Sequence, residues 1–217
     1  MNKNLTELVF ILDRSGSMCG LEADTIGGFN AMLEKQKAGP GQALVTTLLF
    51  DTDCRLLHDR LPLAQVPAMT GRDYTVGGCT ALLDALGGAI CKIGDIHKYA
   101  REEDRPARTV FVITTDGMEN ASHRYTLPEV KRLVERQKQR YDWEFLFLGA
   151  NIDAVATAGK MGIGADRAVN YCCDGAGTQL NYQTVSDGIS AMRCGAPLGA
   201  DWSAPIAQDF AKRGGRK

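Results

Sequence analysis

Missing from this sequence of 217 residues are the features that would settle its class at a glance. No apolar run reaches the roughly 20 residues of a membrane-spanning helix. The formal net charge is −1, so no excess of either sign favours general binding to nucleic acid or a membrane surface. The three histidines, His58, His97 and His123, lie far apart without the spacing of a zinc site. There is no phosphate loop ending in Gly-Lys-Ser/Thr and no Gly-x-Ser-x-Gly nucleophile elbow. Gly162-Ile163-Gly164 follows a helical pattern rather than a strand, and Arg167 takes the third glycine place, which excludes a dinucleotide fingerprint. Phe50-Asp51-Thr52-Asp53 has the outline of an aspartyl-phosphate nucleophile, but Cys54 and Arg55 lead straight into another strand. No catalytic set is visible, and an enzyme is not expected.

Seven cysteines are present, an odd number without regular spacing. Cys54, Cys79 and Cys91 sit in apolar or loop settings, and Cys172-Cys173 are adjacent, poor geometry for a redox pair. Free thiols and a reducing, cytoplasmic setting are the expectation. The apolar run after Lys3 ends at Asp13, too soon for a signal-peptide core, so no secretory leader is expected.

What is present is an alternation of strand-length apolar runs with helical patterns, the signature of an α/β domain with a mostly parallel sheet. Strands are predicted near 7–13, 43–50, 54–60, 108–115, 143–149 and 167–171. The helix near 21–38 carries Ile26, Phe29, Leu33 and Gln36 on one face, and that near 81–98 has a wide apolar face from Leu82 to Ile93. Thr126 and Glu129 form a capping box that opens a helix to about Arg140, with Pro128 in its first turn. Asn151 is the expected cap of a helix to Met161, and a last helix is read near 178–193. Gly27-Gly28 and Gly87-Gly88 inside helical patterns imply close packing of helix on sheet. Only Asp51-Thr52-Asp53 separates the second and third strands, which demands an antiparallel hairpin. One domain is expected over 1–194, followed by a C-terminal extension, 195–217, disordered at its end.

The chemistry is concentrated at strand ends. Asp13-Arg14-Ser15-Gly16-Ser17 closes the first strand with oxygen donors at alternate positions. Thr80 follows Gly77-Gly78-Cys79, and Asp116 ends the run Val110–Thr115. Singly, these read as an Asx turn, a helix N-cap and an Asp-Gly turn. In an open sheet of order 3-2-1-4-5-6, however, the first and fourth strands are neighbours where the order reverses, and ligands bind beyond their carboxyl ends. Three hydroxyls and two carboxylates meeting there suit a hard cation, Mg²⁺ above all, with Mn²⁺ or Ca²⁺ as alternatives. Around them, Asp84 is placed to support the site from one helical turn beyond Thr80. Glu119, Asn120 and His123 follow Asp116 on a flanking surface loop, and Asn151 borders the same rim.

Asp-x-Ser-x-Ser with a distant Thr and a distant Asp resembles the metal-ion-dependent adhesion site, or MIDAS, of the von Willebrand factor A (vWA) family. The resemblance covers about residues 5 to 193, with all five motif positions filled, and is to compact bacterial intracellular members, including those grouped with tellurite resistance. It implies a Rossmann-like, doubly wound, six-stranded sheet with one antiparallel edge strand. It also implies Mg²⁺ held directly by the hydroxyls of Ser15, Ser17 and Thr80, with at least one of Asp13 and Asp116 acting through water. The implied partner is a protein presenting a Glu or Asp that completes the metal shell. By the same resemblance the partner belongs to a larger assembly such as an AAA+ ATPase or stress-response complex, and the last helix shifts in some members when ligand binds. The competing expectation is a metal-dependent hydrolase acting on phosphoesters, for which only Asp84, Glu119 and His123 are available as acid–base groups.

Overall fold

The computed structural model describes residues 1–214. Its core is a six-stranded sheet of order β3-β2-β1-β4-β5-β6. In chain order the strands are β1 (Asn2–Asp13), β2 (Gln42–Phe50), β3 (Cys54–Pro62), β4 (Pro106–Thr115), β5 (Glu144–Gly149) and β6 (Ala168–Asn170). All neighbours pair in parallel except β2 and β3, which form the antiparallel hairpin that their three-residue connection requires.

Each strand of the sheet's centre is buried on both sides, and its alternate residues feed two separate cores. Leu8, Phe10 and Leu12 of β1 face one layer of helices, while Val9 and Ile11 face the other. The first layer holds α1 (Glu22–Lys37), α5 (Gly175–Arg193) and α6 (Ala204–Lys212). The second holds α2 (Leu82–Tyr99), α3 (Leu127–Tyr141) and α4 (Ala154–Lys160). Phe10 meets Phe29 of α1 edge to face at 5.3 Å, so truncating either ring to alanine would cost about 3–5 kcal/mol.

The starts and stops follow local chemistry. Glu129 accepts from the Thr126 backbone N–H (2.8 Å) and hydroxyl (2.7 Å), which opens α3 as its capping box predicts. Asp153, rather than Asn151, caps α4, accepting from the Ala156 N–H at 2.9 Å; Asn151 instead has a left-handed backbone, φ 55°. Helix α5 begins earlier than predicted, at Gly175, because Asp174 caps it by accepting from the Gly177 N–H at 2.8 Å. β1 likewise starts at Asn2, its polar first residues extending beyond the apolar run.

Helix α6 was not anticipated within the C-terminal extension. Leu198 and Ile206 of that segment join the first core, and the Arg167 guanidinium donates to the Leu198 carbonyl at 3.0 Å. The disorder expected at the chain's end concerns residues 215–217, which lie outside the described residues. All seven cysteines are free. Among the described residues no helix is long and apolar enough to cross a membrane.

The paired helical glycines are not equivalent, and their close contacts are with rings rather than with the sheet. A methyl group on Gly28 would fall 2.3 Å from the Tyr182 ring of α5, and one on Gly87 would fall 2.6 Å from the Tyr125 ring. Gly27 faces open space. Gly28→Ala therefore destabilises the protein by about 1–3 kcal/mol in urea denaturation. Gly27→Ala stabilises it by about 0.5–1 kcal/mol through lower backbone entropy in the unfolded chain. Equal shifts of one sign for both would contradict this packing of α1 on α5.

Candidate metal centre

Strands β1 and β4 lie side by side where the sheet order reverses, and their carboxyl ends carry Asp13 and Asp116. Three loops meet there and are joined through their backbones. The Gly16 N–H donates to the Gly78 carbonyl (3.1 Å), and the Gly77 N–H to the Arg14 carbonyl (2.9 Å). On the other side the Asn120 N–H donates to the Thr80 carbonyl (3.0 Å), and the Thr80 N–H to the Asn120 side-chain oxygen (2.9 Å). These bonds hold the loop after β1 against the loop before α2, and the latter against the loop after β4.

Asp13 is almost fully buried, and both of its carboxylate oxygens are engaged. One accepts from the Ser15 N–H at 2.7 Å, the other from the Thr115 hydroxyl at 2.6 Å. The Tyr74 hydroxyl donates to the Asp13 carbonyl at 2.5 Å. Ser15 and Ser17 hydroxyls lie 3.1 Å apart, and the Ser17 hydroxyl donates to Asp116 at 2.5 Å. Thr80 completes the group. A methyl placed on Gly117 would fall 3.1 Å from the Thr80 hydroxyl oxygen and 3.3 Å from that of Ser17, so hydroxyls from two loops face one small space. All five residues predicted as metal ligands are thus brought together. Thr80 does not act as a helix cap; Ala81 holds that position, without a side-chain bond.

Burial raises both carboxyls above the usual Asp range, although hydrogen bonds from Ser15 and Thr115 to Asp13, and from Ser17 to Asp116, work the other way. The charge of Asp13 raises Asp116 further. The nearby cation does not relieve them, because Arg14 pairs with Asp51 at 2.8 Å. Asp51 also accepts from the Asp53 N–H at 2.8 Å, so the acidic hairpin is a structural turn.

Among the described residues no three His, Cys, Asp or Glu side chains form a metal-binding group of their own. The set here is of another kind, two carboxylates and three hydroxyls, all oxygen. Such donors fit a hard divalent cation, and the charge imbalance of two buried carboxyls favours one.

The flanking residues serve the loops. Glu119 is not a free surface side chain: it accepts from the Leu83 N–H (2.8 Å) in the first turn of α2 and from the N–H groups of Ala121 (3.0 Å) and Ser122 (2.8 Å). Ser122 accepts from the Asp84 N–H at 3.0 Å. In return the Asp84 carboxylate accepts from the N–H groups of His123, Arg124 and Tyr125, each at 2.9 Å. The helix start and the loop after β4 thus cap one another. Asn120 ties that loop to Thr80, and His123 enters the network through its backbone. Asn151 lies on the rim, against Cys173, whose thiol is 3.8 Å from Asp116. Burial and then Asp116's charge push that thiol up to about 11, while the Asn151 hydrogen bond opposes them.

Thr115, Tyr74 and Cys173 were missed in the sequence. Thr115 had a signal, a hydroxyl directly before Asp116 in an otherwise apolar strand. Tyr74 and Cys173 had none, since both reach the site from loops distant in sequence.

No family model matches the sequence, and no curated protein matches it. Solved structures do. Proximal thread matrix protein 1 from the mussel byssus superposes with a TM-score of 0.55 at 11% identity, over 88% of this chain and 46% of that one. A von Willebrand factor type A protein from Catenulispora acidiphila gives 0.55 at 15% identity, over 86% and 42%. The fold is the vWA fold. The ArnB paralog VWA2 from Sulfolobus acidocaldarius shares it, with a TM-score of 0.54 at 17% identity, over 87% and 45%. The chain spans less than half the length of these structures. The mussel protein has also been solved with a zinc-occupied MIDAS motif.

Asp84 allows a test of the loop clasp. Its burial raises the carboxyl, but the three backbone N–H bonds outweigh that and hold it below the usual Asp value. A depressed carboxylate stabilises the fold above its unfolded pKa, about 3.9, and loses that contribution as pH falls through the lowered value. Asp84→Ala should therefore cost about 1.5–3 kcal/mol at pH 7. The gap from the parent protein should narrow below pH 4, as read by urea denaturation at pH 7 and pH 3. A gap that is constant with pH would contradict the clasp.

Proposed function

We propose that this chain is a metal-dependent protein-interaction module of the vWA type, with Mg²⁺ as its ion. The observation that carries the reading is the convergence of the Ser15, Ser17 and Thr80 hydroxyls with Asp13 and Asp116 at the ends of β1 and β4, the Ser17 and Thr80 hydroxyls facing one space above Gly117. Ser15, Ser17 and Thr80 would hold the ion directly. Asp13, with both oxygens already accepting hydrogen bonds, orients the loop and acts through water, and Asp116 supplies the nearer negative charge. A bound ion supplies a positive centre that, being held mainly by neutral oxygens, attracts an outside carboxylate. The partner proposed is accordingly a protein that presents a Glu or Asp. The free cysteines point to a cytoplasmic setting, and by resemblance the partner is part of a larger assembly, such as an AAA+ ATPase or a stress-response complex. The metal-occupied mussel relative is in keeping with a divalent ion at this position.

Of the three side chains a hydrolase would recruit, the two carboxylates are otherwise committed and only the His123 ring is not, which supports a binding role over an enzyme. Asp84 and Glu119 both hold backbone N–H groups, and the Cys173 thiol, pushed up to about 11, is a poor nucleophile near neutral pH.

Isothermal titration with MgCl₂ should show one binding event in the parent protein and none in Asp13→Ala or Asp116→Ala. Gly117→Ala, which places a methyl between the hydroxyls, should weaken binding by about tenfold or more. Identical titrations of parent and Asp13→Ala would remove the metal from this account. Capture of a partner should require Mg²⁺ and be lost in chelator. Mg²⁺- or Mn²⁺-dependent phosphatase or nuclease turnover, abolished in Asp116→Ala, would replace the binding module with an enzyme.

A further inference from the structure

A cavity of about 380 Å³ opens at the opposite end of the sheet, between the last turns of α2 and α3 and the amino ends of β4 and β5. We propose that it binds a small organic anion, a compact aromatic or alicyclic body bearing one carboxylate, independently of the metal centre.

The size falls in the range of small-molecule sites. One wall is apolar: Trp143, Leu133 and Ile90 line it. Trp143 is held rigidly, stacked on Phe111 at 5.3 Å and met edge-on by His97 at 5.5 Å. The other wall carries hydrogen-bonding capacity that the protein does not use. Gln137 is only 7% exposed, yet its carboxamide oxygen has no partner among the described residues. The Arg105 Nε is also buried without a partner, and that guanidinium makes just one longer bond, 3.3 Å to the Ala100 carbonyl. Buried polar groups are normally paired, and these two lining residues are left incompletely satisfied by the protein itself.

The sign of the charge selects an anion. Arg105, Lys98 and Arg136 line the cavity without an ion-pair partner among the described residues, against a single carboxylate, Asp95. Glu7, behind His97, is already matched by Arg60 at 2.7 Å. The cations also offset the negative ends of two helices that point here. A ligand carboxylate accepts from the Arg105 guanidinium and from the Gln137 carboxamide nitrogen. Its apolar body then lies along Trp143 and Leu133.

Trp202→Phe in the 217-residue chain leaves Trp143 as its sole tryptophan, so one indole N–H resonance reports on the cavity. Titration with 2-naphthoate in EDTA should shift that resonance saturably. Its neutral counterpart, 2-naphthalenemethanol, should bind at least tenfold more weakly. Gln137→Met and Arg105→Met should each weaken naphthoate binding by a similar factor, and Leu133→Phe should block it by filling the space. Asp13→Ala should leave it unchanged. Absence of a saturable shift, equal affinity for the alcohol, or undiminished binding in folded Gln137→Met and Arg105→Met would overturn the proposal; loss of binding in folded Asp13→Ala would overturn its independence from the metal centre.

Discussion

Everything at the carboxyl end of this sheet depends on three loops being fastened to one another by backbone hydrogen bonds. The donors of the proposed metal centre come from residues 13–17, 80 and 116, and the side-chain bonds among them, such as Ser17 to Asp116, link the first and last segments but not Thr80. Two buried carboxyls repel each other, and burial alone disfavours both charges. The Gly16–Gly78, Gly77–Arg14 and Asn120–Thr80 bonds hold the loops in place in spite of this. Asp13 adds to the same restraint by holding the Ser15 N–H and the Thr115 hydroxyl. Such preorganisation is what a Mg²⁺ site needs, since the small ion tolerates little departure from its preferred shell.

The polar residues around the centre therefore form a hierarchy. The Thr80 and Ser17 hydroxyls face the space above Gly117, with Ser15 and Asp116 bonded to Ser17, while Glu119, Asn120 and Asp84 spend their oxygens on backbone N–H groups. Helix α2 is clasped at its start by Glu119 and Ser122, and its 18 residues, about 27 Å at the helical rise, carry it to the far end of the domain. There its last turns line the cavity beside Trp143. The two ends have opposite electrostatic character. One concentrates acidic and neutral oxygen, and the other gathers cations that have no ion-pair partner among the described residues around an apolar wall.

Much of this is legible in the sequence itself. The alternation of apolar runs and amphipathic patterns determined an α/β sheet. The short Asp51–Asp53 connection determined an antiparallel hairpin, because no crossover fits in three residues. Thr126 and Glu129 determined where α3 starts, since a capping box is a local device. Position and residue type also singled out the five residues that the fold brings together, because strand ends at a reversal of order are where such a sheet exposes polar groups.

What the tertiary structure decided were relations between residues distant in sequence. Only the fold shows that Glu119 accepts from the Leu83 N–H and Asp84 from those of His123, Arg124 and Tyr125, and that Tyr74, Thr115 and Cys173 reach Asp13 and Asp116. The same holds for α6, whose few apolar residues become core only when Leu198 and Ile206 meet the first layer. The reason is physical: period, capping and turn chemistry act over a few residues and leave their mark in the local sequence, whereas convergence, burial and unpaired polar atoms arise from packing among all of them.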